Sequence, residues 1–212
     1  MKRFAKPFSL VALAALLMTG AAHPATAKEN KNAFDKKIRV ERVDRVMVEV
    51  KGVACSFCAY GTEKNLARLK FVNDAEEEFG GDGVLLNVKD SLAELALRKK
   101  EKLNFDEIAQ AITKGGYTLV AAHVKLIGTL VREEDERFLV NLENGQRFLL
   151  RAADGESWDD DALIGSKVVV QAVASASDVN LKKPKADSAE QTKDKPTPIR
   201  VKKIERDGTE AS

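Results

Sequence analysis

The chain has 212 residues, of which 44% are hydrophobic and 6% aromatic, with 35 Lys+Arg and 33 Asp+Glu. This content suits one larger or two small folded domains. Residues 1–27, which form a predicted leader, hold three of the basic side chains and none of the acidic ones. A net charge of −1 therefore remains without it, which argues against a nucleic acid partner.

Residues 1–27 have the pattern of a secretory signal peptide. Lys2, Arg3 and Lys6 form a positive start, residues 8–19 are apolar and uncharged, and residues 25–27 are a small-residue cleavage site. The apolar run is shorter than the roughly 20 residues that span a bilayer. The pattern predicts export to the periplasm and a mature chain that begins at residue 28.

A strand and a helix are predicted after a charged N-terminal arm at residues 28–42, which we expect to be flexible. Valines alternate with other residues at 46–51, which predicts a strand with one buried face. Gly52 ends that strand, and a helical pattern starts at Ser56. Its apolar stripe consists of Leu66, Leu69 and Val72, with Ala75 and Phe79 as possible extensions.

A hairpin, a second helix and a further strand are predicted next. Residues 84–88 and 93–97 form the two arms of the hairpin. Asn104 and Glu107 resemble a helix-capping pair, and Gly115 suits the end of that helix. A last strand is expected at 117–121. The order predicts an α+β fold: a ferredoxin-like βαββαβ domain at 43–122, with an antiparallel sheet and both helices on one face.

A second module is predicted at 123–205. Short alternating runs with glycine corners, and a hairpin turn at Asn144-Gly145, favour a small all-β barrel of the OB type. Residues 182–198 are polar and rich in lysine and proline, so we predict a disordered insert there. Residues 206–212 are predicted to be a tail. We expect this barrel to dock a partner.

Both cysteines of the chain, Cys55 and Cys58, lie where the first helix is predicted to begin. A helix N-terminus favours thiolates. Two thiolates suit soft ions, and Cu(I) and Hg(II) accept two ligands, whereas Zn(II) prefers four. The predicted mature chain adds one histidine, His123, and one methionine, Met47, and we do not expect His123 to be a ligand. The ligand supply therefore favours a two-coordinate ion.

Two alternatives use the same pair. One is thiol–disulfide redox chemistry, which thioredoxin-type folds carry out with a proline facing the cysteines. No proline lies in the predicted domain that holds the cysteines. The other is an inert disulfide in a non-enzymatic adaptor, but a bond that encloses two residues restrains little of the unfolded chain. We find no nucleophile, base and orienting group at a catalytic spacing, so an enzyme is not predicted.

The segment from residue 46 to about 122 resembles the heavy-metal-associated domain family. That family carries Gly-Met-x-Cys-x-x-Cys after its first strand, and here the motif is Gly52-Val53-Ala54-Cys55-Ser56-Phe57-Cys58. A Gly-Tyr pair before the last strand, Gly116-Tyr117, is a second match. Val53 replaces the buried methionine of the family.

The resemblance implies a ferredoxin-like fold and a role as a metal carrier or in metal resistance. It implies that Cys55 and Cys58 are the ligands, with Tyr117 and Gly52 beside the site. Tyr60, which makes the rim more aromatic than in many members of the family, is predicted as a further supporting residue. Cu(I) is the first candidate ion, and Hg(II) and Zn(II) are further candidates. The implied partner is a metal-transporting membrane protein or another protein with a thiol metal site, and the chain itself is not expected to span a membrane.

Overall fold

The structure is a computed structural model that describes residues 38–79, 81–152, 161–179 and 196–208. The predicted signal peptide, most of the predicted arm, most of the predicted insert and the last four residues lie outside the described residues. Within the described ranges, no helix has the length and apolar character needed to cross a membrane.

The described elements are eight strands, two α-helices and two short 3₁₀ turns. In chain order they are β1 (Arg45–Lys51), α1 (Ser56–Ala67), a 3₁₀ turn (Glu77–Phe79), β2 (Val84–Asn87), β3 (Leu92–Ala96), α2 (Phe105–Lys114), β4 (Thr118–Glu133), β5 (Glu136–Asn141), β6 (Arg147–Ala152), a 3₁₀ turn (Asp161–Leu163), β7 (Lys167–Ser175) and β8 (Thr197–Arg206).

The first part of the chain builds antiparallel strands in the order β2-β3-β1-β4 and places the two helices beside them. Val46, Val48 and Val50 of β1 are at most 1% exposed and belong to the same core cluster as buried side chains of α1 and α2. Asn104 caps α2 as its sequence pattern predicts, because its side chain accepts hydrogen bonds from the backbone N–H groups of Asp106 and Glu107.

The second part is a closed barrel of five strands, β4-β5-β6-β8-β7, which the pairing of β4 with β7 completes. The β5–β6 hairpin predicted at Asn144-Gly145 is confirmed: Asn141 N–H donates to Gln146 O, and Gly145 has a φ of 68°. Gly128 of β4 is closely approached by β5, since a Cβ there would lie 2.4 Å from Val140 O. Only a glycine fits this contact without movement of the backbone.

The predicted fold class is wrong. The described residues are mostly β, with 45% in strands and 20% in helices, and they form one sheet that includes a closed five-stranded barrel. They do not form a ferredoxin-like domain followed by a separate OB-like barrel. The physical reason is β4, a single strand of 16 residues that pairs with β1, β5 and β7.

Residues predicted as the end of one domain and the start of the next therefore lie on one strand. The core is equally continuous, because Val46 of β1 and Ile199 of β8 belong to the same cluster of buried residues. The division of the chain at residues 122 and 123 stays a prediction, and that point falls inside β4.

Two local predictions also need correction. The first helix ends at Ala67, and its predicted apolar stripe does not continue as helix through Phe79. Val72 instead forms a β-bridge with Leu97, and Arg98 N–H donates to Phe71 O at 2.8 Å. At the other end of the chain, Pro198 belongs to β8 and not to the predicted insert.

Candidate metal centre

The cysteine loop lies between β1 and α1. Gly52 ends β1 with a φ of 101°, a backbone conformation that side chains other than glycine rarely adopt. Cys55 is the N-cap of α1, and its sulfur accepts a hydrogen bond from the backbone N–H of Cys58 at 3.2 Å. The two Cα atoms are 5.3 Å apart, and the cysteines form a disulfide. The loop therefore brings both sulfurs to the start of one helix.

The cysteine pair is accessible from solvent. Cys55 and Cys58 are exposed, Phe57 between them is 90% exposed, and Tyr60 one turn later is 56% exposed. Ala59, by contrast, is 3% exposed and packs in the core, so it lies on the buried side of α1. Both cysteines therefore lie at the surface of the fold, on the loop and the first turn of α1.

The predicted supporting residues lie in different positions around the loop. Tyr117 packs against the core, and its Cδ1 would be 3.5 Å from a Cβ at residue 52, so it lies beside Gly52. Val53, at the position of the family's methionine, also packs against the core. Tyr60 is on the exposed side of α1. The roles predicted for Gly52, Tyr60 and Tyr117 in metal binding stay predictions.

The first turn of α1, which follows the cysteine loop, contains no acidic residue that would repel a thiolate. Its N-terminal dipole therefore remains available to stabilise negative sulfur. Lys64 is further along α1, where its Nζ is 2.7 Å from Asp82 Oδ2 and 5.3 Å from the centroid of the Tyr60 ring. The hydrogen bond to Asp82 raises the pKa of Lys64.

In the part of the chain that the structure describes, no further ligands for a larger coordination shell gather at this loop. Among the described residues, no group of three or more His, Cys, Asp or Glu side chains could hold a metal ion. His123 is 2% exposed, and its Nε2 is 2.7 Å from Glu49 Oε1. Two sulfur ligands suit an ion that accepts two-coordinate geometry better than Zn(II).

The buried contact between Glu49 and His123 was not predicted. Lys202 Nζ also approaches His123, at 3.5 Å from Nδ1. Because an ammonium donates and a carboxylate accepts, these contacts fit a ring that donates from Nε2 to Glu49 and accepts at Nδ1 from Lys202. The three residues come from β1, β4 and β8, so the contact fastens β1 to the barrel. The alternation in β1 could have identified Glu49 as a residue of its second face.

No protein-family model matches the sequence, and no curated protein matches it. Among solved structures, a similar chain is a CopZ metallochaperone with 18% sequence identity. The match covers 36% of this chain and 98% of that chain, with a TM-score of 0.30. The predicted resemblance to heavy-metal-associated domains thus has a weak structural neighbour, which supports no conclusion about what this chain binds.

Proposed function

We propose that this protein carries a soft metal ion, Cu(I) first and Hg(II) second, on reduced Cys55 and Cys58. The observation that carries the proposal is the placement of both sulfurs together, exposed, at the start of α1. Thiolates bind soft ions in preference to hard ones. A helix N-terminus further favours the negative charge that such ligands carry.

Release of the ion would proceed by ligand exchange. A thiolate of the acceptor binds the metal ion, one of the two cysteine sulfurs leaves, and the second sulfur leaves when another acceptor thiolate replaces it. The metal is the cargo and undergoes no net redox change. Cys55 and Cys58 are both exposed residues, which suits a direct exchange of the ion with an acceptor protein.

Loading would require the disulfide to be opened first. A dithiol reductant supplies two electrons and two protons and is itself converted to a disulfide, and the product is a pair of free thiols. An exposed disulfide suits a metal carrier and a thiol–disulfide redox protein equally, because both use the reduced pair. The two functions are therefore separated by experiment and not by this bond.

The leader pattern in residues 1–27 supports a periplasmic location for this activity. The acceptor would then be a metal-transporting membrane protein or another protein with a thiol metal site. The near-zero net charge of the predicted mature chain supports a protein partner over a nucleic acid.

The test is an anaerobic Cu(I) titration of the reduced protein against a chromogenic Cu(I) chelator. We expect one Cu(I) per chain, and a loss of binding of at least a hundredfold in the Cys55→Ser, Cys58→Ser double variant. Ser56→Ala is the matched control, since it alters the same loop and leaves both sulfurs in place. Hg(II) is titrated in parallel.

A result of no Cu(I) or Hg(II) binding above that of the double variant would overturn the proposal. Equilibration with glutathione buffers then decides the alternative. A disulfide that exchanges with these buffers near the glutathione potential of an oxidising compartment, in a protein that retains no metal, would identify a redox protein.

A further inference from the structure

A cavity of about 230 Å³ lies between the first part of the chain and the barrel. Its lining comes from the residues before β1, the segment between β3 and α2, β4, and the β5–β6 hairpin. It adjoins the start of β1, whereas the cysteine loop follows the end of β1. The seven residues of β1 separate the two by roughly 20 Å at about 3.3 Å per residue. The cavity is thus separate from the candidate metal centre.

The exposed surface of the cavity walls is mostly apolar, and hydrogen bonds between the two parts hold these walls in place. Phe148 and Leu126 are buried core residues that line it. Gln146 of the hairpin accepts from Leu103 N–H at 2.8 Å and donates to Leu103 O at 2.6 Å. Asn144 Nδ2 donates to Glu101 O at 2.7 Å. The cavity is therefore preformed, and these amide side chains are already hydrogen-bonded within the protein.

The charges in the lining cancel. The lining includes three basic and three acidic residues, namely Arg98, Lys99 and Lys167, and Asp44, Glu101 and Glu143. Several already form ion pairs, such as Arg98 with Asp74 and Lys167 with Asp207. An ionic ligand would gain no net attraction here and would lose its hydration.

Apolar side chains remain uncovered where the cavity meets solvent. Leu142 is 53% exposed and Val43 is 40% exposed, and both line the cavity. A dry cavity of about 150 Å³ lined by Leu, Ile and Phe binds benzene. We propose that this cavity binds a neutral, apolar small molecule of about two fused aromatic rings, or an aliphatic chain of similar volume.

The test uses two fluorescent probes that share one apolar body. N-phenyl-1-naphthylamine is neutral, and 8-anilino-1-naphthalenesulfonate adds a sulfonate to the same rings. We expect saturable one-to-one binding of the neutral probe to the purified protein, and binding of the sulfonate at least tenfold weaker. Equal or tighter binding of the sulfonate would overturn the assignment to neutral ligands.

A matched pair of variants locates the binding. Leu142→Asp places a carboxylate at the mouth of the cavity, and Leu85→Asp makes the same change at a similarly exposed leucine of β2, 55% exposed. We expect Leu142→Asp to weaken the neutral probe at least tenfold and Leu85→Asp to leave it unchanged. Equal affinities in the two variants, or no saturable binding by the unaltered protein, would refute the proposal.

Discussion

The contact between Glu49 and His123 gives the sharpest prediction about stability. The Glu49 side chain is 9% exposed, that of His123 is 2% exposed, and the two side chains are 2.7 Å apart. Replacing His123 with leucine deprives a buried carboxylate of this partner. Loss of a hydrogen-bond partner costs a buried polar group about 1–3 kcal/mol, and a charged group such as this carboxylate lies at the upper end, about 3 kcal/mol. We therefore expect His123→Leu to lower the free energy of unfolding by about that amount.

The converse change should cost less. Glu49→Leu leaves the Nε2–H of the ring without this acceptor, and a ring N–H lies lower in the same range, at about 1–2 kcal/mol. In the double variant no buried carboxylate and no buried imidazole remain. Replacement of a buried pair by apolar side chains is often neutral. The double variant should thus be more stable than His123→Leu alone.

The assay is urea unfolding at pH 7 of the wild type and the three variants, with the disulfide intact in all of them. Linear extrapolation gives each free energy of unfolding. The reasoning would be refuted if His123→Leu unfolds within about 1 kcal/mol of the wild type. It would also be refuted if the two single losses simply add in the double variant.

Two further predictions concern glycine and acid stability. Gly128→Ala should lower the free energy of unfolding in urea by about 1–3 kcal/mol, because its Cβ would lie 2.4 Å from Val140 O. Gly61→Ala in α1 should raise it by about 0.8–1 kcal/mol, because no atom lies within 4 Å of the new Cβ and alanine favours the helix. Equal unfolding midpoints for the two variants would contradict this. The hydrogen bond from Arg42 lowers the pKa of Asp44, so its stabilisation is present above the ordinary carboxyl pKa of about 3.9 and is lost as pH falls through the lowered pKa. Asp44→Asn should therefore flatten the decline in unfolding free energy between pH 5 and pH 2, and an unchanged slope would count against it.

Short-range patterns predicted several elements in the first part of the chain, including the strand before the cysteine loop. The alternating valines of β1 and the cap at Asn104 are local signals, and the structure has a strand at Arg45–Lys51 and a helix at Phe105–Lys114. The position of Cys55 at the start of α1 follows from the same local reasoning, since Gly52 ends the strand before it.

Long-range pairing explains what the patterns missed. Leu69 and Val72 fit a helical stripe, yet Val72 bridges to Leu97 across 25 positions of the sequence, which no local period indicates. The fold class failed for the same reason, because two of the three strands that pair with β4, namely β1 and β7, are distant from it in sequence. Glu49 alternates with buried valines and so belongs to the second face of β1. Its burial depends on strands more than seventy residues later.

Because β4 belongs both to the first part of the fold and to the barrel, the chain cannot be divided within this strand without loss of strand pairing. A chain cut after residue 122 would keep the cysteine loop but would end within β4, and it would expose backbone groups that β7 now satisfies. A shortened protein that keeps the cysteine loop would therefore be more stable if it also kept β7, because that strand pairs with the part of β4 next to β1.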